Sequence, residues 1–428
     1  MSQLLRRSWE ARFDGYGLPR ADRKGCLYDA YVPDQLAGRT FALDGSVAAD
    51  IADAERAIVE LDRGAVALVD TEALARMLLR AEAVASSRIE GLEIGPRRLL
   101  HADAARDLGE TTRDVTALEV LANIDAMAYA TETAREGDTI TVDQLLEMHR
   151  RLLGGTRLSA YAGHIRTEQN WIGGSSYNPC SAVFVPPPPE LVGELLDDLF
   201  RFCNTDALPA VAQAAIVHAQ FETIHPFVDG NGRVGRALIH LVLRRRGLAR
   251  RVNPPVSLVL ATRAGAYVNA LNAMRYHGEA TSEAATRGMN DWVGLFSGAC
   301  IGAAHDAQAF EARVAALQRE WRERLGSFRS HSALAAILNI LPGAPVLTVK
   351  TAAEFTQRSV AAAGEAITRL VDVGILRSTK PQARNRTFES VELIDAFTNL
   401  ERNLASPAGD TRIAVPLRRV PARPVKRT

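Results

Sequence analysis

Cysteine is scarce in this chain of 428 residues. Its four cysteines are Cys26, Cys180, Cys203 and Cys300. No two of them form a C-x-x-C pair and none has the spacing of a zinc site, which argues against a metal-stapled or disulfide-rich fold. Cysteines scattered in this way are typical of reduced thiols, and we therefore expect a cytoplasmic protein.

Long apolar runs and a strong net charge are also lacking. No run approaches the length of a membrane span, and the first ten residues, M-S-Q-L-L-R-R-S-W-E, contain no apolar core of a signal peptide. The net charge is +1, so no global field draws the chain to nucleic acid or to a membrane. There is no internal repeat and no G-x-x-x-x-G-K phosphate loop. The composition, 47% apolar and 24% charged, predicts a soluble globular protein of two or three domains.

One stretch, Ile224–Arg236, carries an unusual set of residues: I-H-P-F-V-D-G-N-G-R-V-G-R. It lies between two apolar helical patterns. Gly230 and Gly232 can take positive φ, so that consecutive backbone N–H groups can form an anion-binding concavity. The second helix, expected to begin at about Arg233, adds free N–H groups and the positive end of its dipole. The stretch therefore predicts a phosphate-binding loop.

The polar side chains of this stretch suit the same task. Arg233 and Arg236 are three residues apart, so both can reach phosphate oxygens from one helix face, and Asn231 lies beside them. Asp229 offers a hard oxygen ligand for Mg²⁺. His225 is a candidate general base because its ordinary pKa is near neutral pH. Taken alone, any of these residues is more simply explained as a turn or a structural histidine.

The complete string, H-P-F-x-D-G-N-G-R-x-x-R, resembles the signature of the Fic family at every specified position. The resemblance extends over about residues 47–300 and implies a mostly α, Fic-type helical bundle with a small β-hairpin flap. It also implies a protein adenylyltransferase that moves AMP from ATP to a Tyr, Thr or Ser hydroxyl, with His225 as base and Mg²⁺ or Mn²⁺ on Asp229. Transfer of UMP or phosphocholine is an alternative. Phosphate transfer is disfavoured because that branch has Lys where this chain has Gly232.

A second motif ends the helical pattern over 71–90, which finishes S-S-R-I-E-G. Ser86 and Glu90 are four residues apart and share a helix face, and Gly91 ends the helix. The pattern resembles the inhibitory helix of Fic proteins that carry it on their N-terminal side. The resemblance implies that Glu90 pairs with Arg236 and occupies the place of the γ-phosphate. Glu90 could also orient water to remove the modification. The alternative is an ordinary helix that ends at glycine.

A Gly-, Ser-, Asn- and Pro-rich stretch midway along the chain has β-formers at both edges and predicts a hairpin. In the family this is the flap beside the active site, so Ile172, Gly173 and Val183 are its expected residues. A hairpin edge can pair with an extended target segment. Further on, Tyr267 resembles the first Tyr of the family's adenine-bordering helix. Val268 replaces the second Tyr, so the preference for adenine depends on the family resemblance.

The C-terminal part predicts three short helices and two strands, in an order that resembles a winged helix. The helices are expected at Ser332–Leu341, Val349–Phe355 and Ser359–Val373, and the strands at Ile375–Ser378 and Arg386–Phe388. A winged helix would place its third helix in the major groove of DNA. This helix begins with few base-reading or phosphate-holding side chains, so a protein contact is favoured over DNA binding.

We therefore expect four regions. They are an N-terminal helical region with the inhibitory helix (1–110), a Fic catalytic domain (111–325), a winged-helix-like domain (326–400) and a basic, disordered tail (401–428). Expected partners are ATP, a target protein, the chain itself as AMP acceptor, and a second copy in a homodimer. His149 is interpreted as a core-edge or surface residue and not a ligand, and His218 as structural. The alternative outside enzymology is a nucleotide-sensing transcription regulator that uses the winged helix.

Overall fold

The fold is mostly helical, with two small antiparallel sheets. The computed structural model describes residues 1–10, 19, 22–64, 71–110, 112–379 and 386–405. The tail expected to be disordered at 401–428 is helical at 401–405, so its expected start is wrong, and 406–428 lie outside these ranges, as does the turn at 380–385. In the described part, no helix is both long enough and apolar enough to cross a bilayer.

The chain begins with a β-hairpin followed by three helices. Its elements are β1 (Gln3–Trp9), β2 (Cys26–Val32), α1 (Gly45–Gly64), α2 (Thr71–Ile89) and α3 (Pro96–Asp107). β1 and β2 pair antiparallel, with Gln3 opposite Val32 and Trp9 opposite Cys26. The helical pattern over 71–90 predicted α2, whereas the hairpin and α3 were not predicted.

The central bundle surrounds the predicted phosphate-binding loop. It consists of α4 (Val115–Thr133), α5 (Val142–Leu153), α6 (Pro189–Cys203), α7 (Ala210–Ile224), α8 (Asn231–Arg245), α9 (Val256–Thr262), α10 (Ala264–Ala273) and α11 (Glu283–Leu325). Every residue of α7 is buried, as is nearly all of α8. A helix that is apolar on all sides belongs inside a core. The loop between these two helices is thus held by the most buried part of the protein.

Helix α11 is one continuous helix of 43 residues. The glycines within it, Gly288, Gly294, Gly298 and Gly302, do not interrupt the helix. Near its start the indole of Trp292 donates to the carbonyl of Ala215 at 2.7 Å, which fixes α11 on α7.

The last part of the chain, which we call the C-terminal module, comprises residues 332–379 and 386–405. Its elements are α12 (Ala333–Ile340), β3 (Val346–Thr348), α13 (Val349–Thr356), α14 (Val360–Asp372), β4 (Arg377–Ser378), β5 (Thr387–Glu389) and α15 (Val391–Ala405). The strands form an antiparallel sheet in the order β3-β5-β4. The three helices and two strands expected here are present to within a few residues. β3 and α15 were not predicted.

Two clusters of buried apolar residues make up the core. One is centred on α7 and α8; the other joins the C-terminal module to the second half of α11. Helix α2 contributes to both clusters, with Val84 in the first and Leu78 in the second. It therefore lies between the central bundle and the C-terminal module.

Cys26 of β2 and Cys180 form a disulfide, with their Cα atoms 5.7 Å apart. Cys203 and Cys300 are free and buried. The expectation of four reduced thiols is thus wrong for the first pair. These two cysteines are 154 residues apart in sequence, and they meet because the unpredicted hairpin lies against the segment that was expected to form the flap.

Candidate active site

His225 is the residue at which α7 turns into the loop, and its backbone is left-handed, with φ 50° and ψ 59°. A residue with a Cβ rarely adopts this conformation, and such strain persists only where neighbours enforce it. Here the carbonyl of His225 accepts hydrogen bonds from Arg166 Nε at 2.9 Å and from Asn170 Nδ2 at 3.2 Å. The position of His225 is therefore imposed by buried donors from outside the loop.

The two loop glycines have different roles. Gly230 has a φ of 80°, as predicted, and comes directly before α8. Helix α8 begins at Asn231, two residues earlier than expected, so Gly232 is helical and has no positive φ. The prediction of positive φ at Gly232 is wrong. This glycine is needed for space, because a Cβ there would lie 2.0 Å from Oε1 of Glu90.

Asn231 closes the loop on itself. Its Oδ1 accepts from the backbone N–H of Phe227 at 2.8 Å, and its Nδ2 donates to the carbonyl of Phe227 at 2.9 Å. Because Oδ1 and one N–H of the side-chain amide are used inside the loop, the second N–H of Nδ2 and the backbone N–H are the donors that Asn231 can offer to a phosphate.

Arg233 has the features of an anion-binding group. Its side chain is only 5% exposed, and its closest carboxylate contact is Asp229 Oδ1, 3.8 Å from Nη2. Nε and Nη1 have no hydrogen-bond partner among the described residues. Buried guanidinium donors without acceptors are costly, so they mark a place where a ligand supplies the oxygens.

Arg236, one turn further along α8, is paired through two of its three nitrogens. Its Nε donates to the hydroxyl of Ser86 at 2.8 Å, and its Nη2 donates to the carbonyl of Ser86 and to Oε1 of Glu90, both at 2.8 Å. The expected pair of Glu90 and Arg236 is therefore present, and Ser86 adds two further contacts. Gly91 follows with a φ of 83° and ends α2, as predicted.

The charges of the site favour an ionised Glu90 and a neutral His225. Partial burial opposes ionisation of Glu90, but the charge and hydrogen bond of Arg236, with Arg233 nearby, hold its pKa below the ordinary value. Burial, reinforced by the charges of Arg275 and Arg166, lowers the pKa of His225 to about 4. At neutral pH the imidazole is thus unprotonated and can accept a proton.

The expected flap is reduced to a single bridge. The N–H of Ile172 donates to the carbonyl of Phe184 at 2.8 Å, and Phe184 donates back at 3.2 Å. Gly173 has a φ of 74°, and a Cβ there would meet Val183 at 2.7 Å, whereas Val183 itself is 78% exposed. The guanidinium of Arg275 lies 3.6 Å from the ring centre of Phe184 and packs against the face of this flap residue.

Two buried side chains connect the site in ways the sequence did not reveal. Arg166 donates to the carbonyls of His225 and Pro187, so it ties the loop to the base of the flap. His149 accepts from the N–H of Gly163 through Nδ1 at 3.0 Å. Its Nε2 must therefore carry the proton, which it donates to the carbonyl of Asp229 at 3.1 Å.

His149 also stacks on Phe227, with ring centres 3.8 Å apart. This histidine was expected at the edge of the core or on the surface, but it is fully buried. A usable signal was its position on the apolar stripe of α5, one turn from Leu145 and Leu152, because a histidine buried in such a stripe needs a partner for each ring nitrogen.

Tyr267 is buried beside Arg236. Only 3% of its surface is exposed, and its hydroxyl is bonded to Nε2 of His218 at 2.8 Å. Burial lowers the pKa of His218 to about 3, so this histidine is neutral. The hydroxyl of Tyr267 is thus already used, and any contribution to a base pocket would have to come from its ring.

These features define a helical protein in which the loop before α8 holds a neutral histidine next to guanidinium donors that have no partner among the described residues. Residues 139–243 match the model of the Fic/DOC family, and residues 48–132 match that of the Fic/DOC family N-terminal region. This part of the chain belongs to the Fic/DOC family, as its loop motif indicated.

Curated relatives match about a third of the chain. Protein adenylyltransferase fic-1 of Caenorhabditis elegans is 38% identical over 139 residues, 32% of this chain and 24% of that protein. Protein adenylyltransferase Fic of Drosophila melanogaster is 34% identical over 141 residues, 32% of this chain and 26% of that protein. The match thus spans about a quarter of these relatives.

A solved structure extends the likeness of fold. The crystal structure of a Fic family protein from Desulfovibrio desulfuricans G20 covers 82% of this chain and 97% of its own, with a TM-score of 0.50 and 21% identity. The mostly α fold with small sheets is therefore shared beyond the loop and its neighbouring helices.

Proposed function

We propose that this protein is an adenylyltransferase that moves AMP from ATP to a Tyr, Thr or Ser hydroxyl of a protein. The observation that carries the proposal is a neutral His225 in the same loop as Arg233, whose buried donors have no partner among the described residues. The names of the relatives support both the nucleotide and the protein acceptor.

In the proposed reaction, His225 takes the proton of the target hydroxyl. The hydroxyl oxygen forms a bond to the α-phosphorus, the bond from that phosphorus to the β-bridging oxygen breaks, and pyrophosphate leaves. Arg233 and the free N–H groups at the start of α8 offset the charge that develops on the phosphates. His225 then releases its proton to solvent.

A divalent ion suits Asp229. The described residues contain no group of three or more His, Cys, Asp or Glu side chains able to hold a metal by themselves. Asp229 is 50% exposed, and one carboxylate oxygen accepts from the N–H of Gly230 at 2.6 Å. Mg²⁺ commonly uses one carboxylate, several waters and substrate phosphates. We propose that Asp229 holds Mg²⁺ or Mn²⁺, which would neutralise phosphate charge when bound.

We further propose that Glu90 inhibits the enzyme. Its carboxylate lies against Gly232 and takes up a donor of Arg236, which the γ-phosphate of ATP would otherwise use. ATP would then bind with its α-phosphate out of line with the target oxygen. Next to the proposed metal position, the same carboxylate could orient a water molecule for removal of AMP.

The remaining expectations concern partners and location. The exposed start of α14 presents Val360, Ala361 and Glu365, none of which donates to a phosphate. For the winged-helix-like C-terminal module we therefore propose a protein contact instead of DNA binding. Homodimerisation and a cytoplasmic location, where ATP is abundant, also belong to the proposal. The Cys26–Cys180 disulfide argues against the cytoplasmic location, because disulfides persist mainly in oxidising compartments.

The test is self-labelling with ATP that carries label at the α-phosphate, comparing wild type, Glu90→Gly and Glu90→Gly/His225→Ala. His305→Ala, at an exposed histidine of α11, is the matched control for loss of a histidine. We expect strong labelling by Glu90→Gly and by its His305→Ala derivative, weak labelling by wild type and none without His225. Label only from the γ-phosphate would identify a kinase, and label only from UTP would identify a uridylyltransferase.

A further inference from the structure

Helix α2 is fixed along most of its length on the side of the central bundle. Glu82 is fully buried and accepts from Nε2 of His240 at 2.9 Å and from the N–H of Ser257 at 2.7 Å. Ser87 accepts from Asn123 at 3.1 Å. Since these contacts hold the body of the helix, a change that moves Glu90 has to act on the last turn, after Ser87.

The last turn of α2 has a second anchor on its other side. Arg88 is two residues from both Ser86 and Glu90, about 200° around the helix, so it faces away from Arg236. Its Nη2 donates to Oε2 of Glu401 on α15 at 3.1 Å. The Glu401 side chain is 5% exposed, and its other oxygen has no hydrogen-bond partner among the described residues. A buried carboxylate depends strongly on its remaining cation.

Further contacts join α2 and α3 to the C-terminal module. Glu389 of β5 is fully buried and accepts from Arg97 and His101 of α3, the helix that follows the inhibitory turn. Nearer the start of α2, Nη1 of Arg80 donates to the carbonyl of Gly343 at 2.6 Å. In each case α2 or α3 supplies the donor and the C-terminal module supplies the acceptor.

We propose that the C-terminal module sets the inhibitory state, with Glu401 acting through Arg88 as a positioning residue for the last turn of α2. Glu401 holds Arg88 on one side of this turn, and Glu90 reaches Arg236 on the other. The inference rests on the proposed function, because it assumes that Glu90 inhibits transfer.

This coupling identifies the C-terminal module as the place where a signal can relieve the inhibition by Glu90. A partner that binds the C-terminal module and displaces α15 removes the buried contact of Arg88 and frees the last turn. Coupling of this kind is reciprocal, so ATP bound in the active pose, which requires Glu90 to move, also loosens the contact between Arg88 and Glu401. The module is then the sensor of the enzyme.

The test measures the rate of self-labelling from α-labelled ATP for wild type, Glu401→Gln and Arg88→Gln. Burial raises the pKa of Glu401 to about 7, so the assays are run at pH 8, where the pair is ionised. The matched control is Glu392→Gln, also on α15, because the hydrogen bonds of Glu392 in the described part of the chain go to Trp321 and Arg324 of α11 and none goes to α2. We expect both variants of the pair to label at least about fivefold faster than wild type, and Glu392→Gln to match wild type.

Two further comparisons separate positioning from loss of folding. In a Glu90→Gly background, Glu401→Gln should produce no additional increase, because the group it positions is gone. The charge exchange Arg88→Glu/Glu401→Arg should restore the slow rate of wild type. The proposal is overturned if Glu401→Gln labels at the wild-type rate, or if it accelerates labelling equally with and without Glu90. If Glu90→Gly itself transfers no AMP, the proposed function fails, whatever Glu401 does.

Discussion

Oε1 of Glu90 lies where a side chain at Gly232 would begin, 2.0 Å from the position of a Cβ built on that glycine. Nη1 of Arg236 is 2.9 Å from the same point. The first turn of α8 is therefore shaped to leave room for a carboxylate that comes from another helix. Glycine at this position and the inhibitory carboxylate form one structural unit.

Gly232→Ala should consequently destabilise the protein for as long as Glu90 is present. The atoms that a Cβ would meet are the movable ends of the Glu90 and Arg236 side chains. Because these ends can shift and alanine favours a helix, we expect a net loss of no more than about 1 kcal/mol in the free energy of unfolding, and its disappearance in Gly232→Ala/Glu90→Gly. Chemical denaturation measures both values. Gly298→Ala, on α11 with open space around its Cβ, is the control and should be neutral or slightly stabilising. An equal loss with and without Glu90 would contradict the prediction.

The pH dependence of transfer should reflect the lowered pKa of His225. With a pKa of about 4, the imidazole is neutral throughout the range from pH 8 to pH 6, so kcat/KM of Glu90→Gly should not fall there. The unfolded-state pKa is near 6.5, so the contribution of this histidine to stability is present above pH 6.5 and is lost as the pH falls towards 4. A pH–rate profile with an acidic limb near 6.5 would show that His225 titrates normally.

His149 should matter for transfer although it touches no reacting group. His149→Gln in the Glu90→Gly background should lower kcat/KM about tenfold, because the hydrogen bond to the Asp229 carbonyl and the bond from Gly163 that fixes the imidazole are lost or weakened. The Mg²⁺ concentration for half-maximal rate should rise as well, which a general loss of stability would not cause. His305→Gln in the same background is the control. Equal kcat/KM values for His149→Gln and His305→Gln would show that His149 has no role in transfer.

The Cys26–Cys180 disulfide should be detectable and should stabilise the folded state. In unfolded protein, a thiol reagent should modify two cysteines before reduction and four after it, since Cys203 and Cys300 are free. Dithiothreitol should lower the Tm of wild type, in line with a stabilisation of about 2–4 kcal/mol, but leave that of Cys26→Ser/Cys180→Ser unchanged. Four reactive thiols in unreduced protein would show that the pair is not oxidised.

The parts of the fold that could be predicted are those set by local sequence. Helices α7 and α8 follow from uninterrupted apolar periodicity, and the loop between them follows from a motif contained in thirteen residues. The contact of Glu90 with Arg236 was anticipated because two short motifs together resemble a known family, since spacing alone does not join positions 146 residues apart.

What could not be predicted depends on contacts between distant segments. The β1–β2 hairpin is held in place by its disulfide to Cys180 in the flap segment. The sequence of residues 1–32 alone does not indicate this contact. Gly232 shows the same limit within the motif itself. Its backbone freedom was the obvious local reason for a glycine, whereas the actual reason is an atom of Glu90.

Helix α11 has a consequence for how such a protein can evolve. At about 1.5 Å per residue its 43 residues extend roughly 65 Å, and its second half packs Phe310, Leu317 and Trp321 into the core shared with the C-terminal module. A recombination event after Leu325 would leave these side chains without their partners. The module therefore cannot be exchanged among relatives as an independent cassette, and it has to be inherited together with the helix on which it is built.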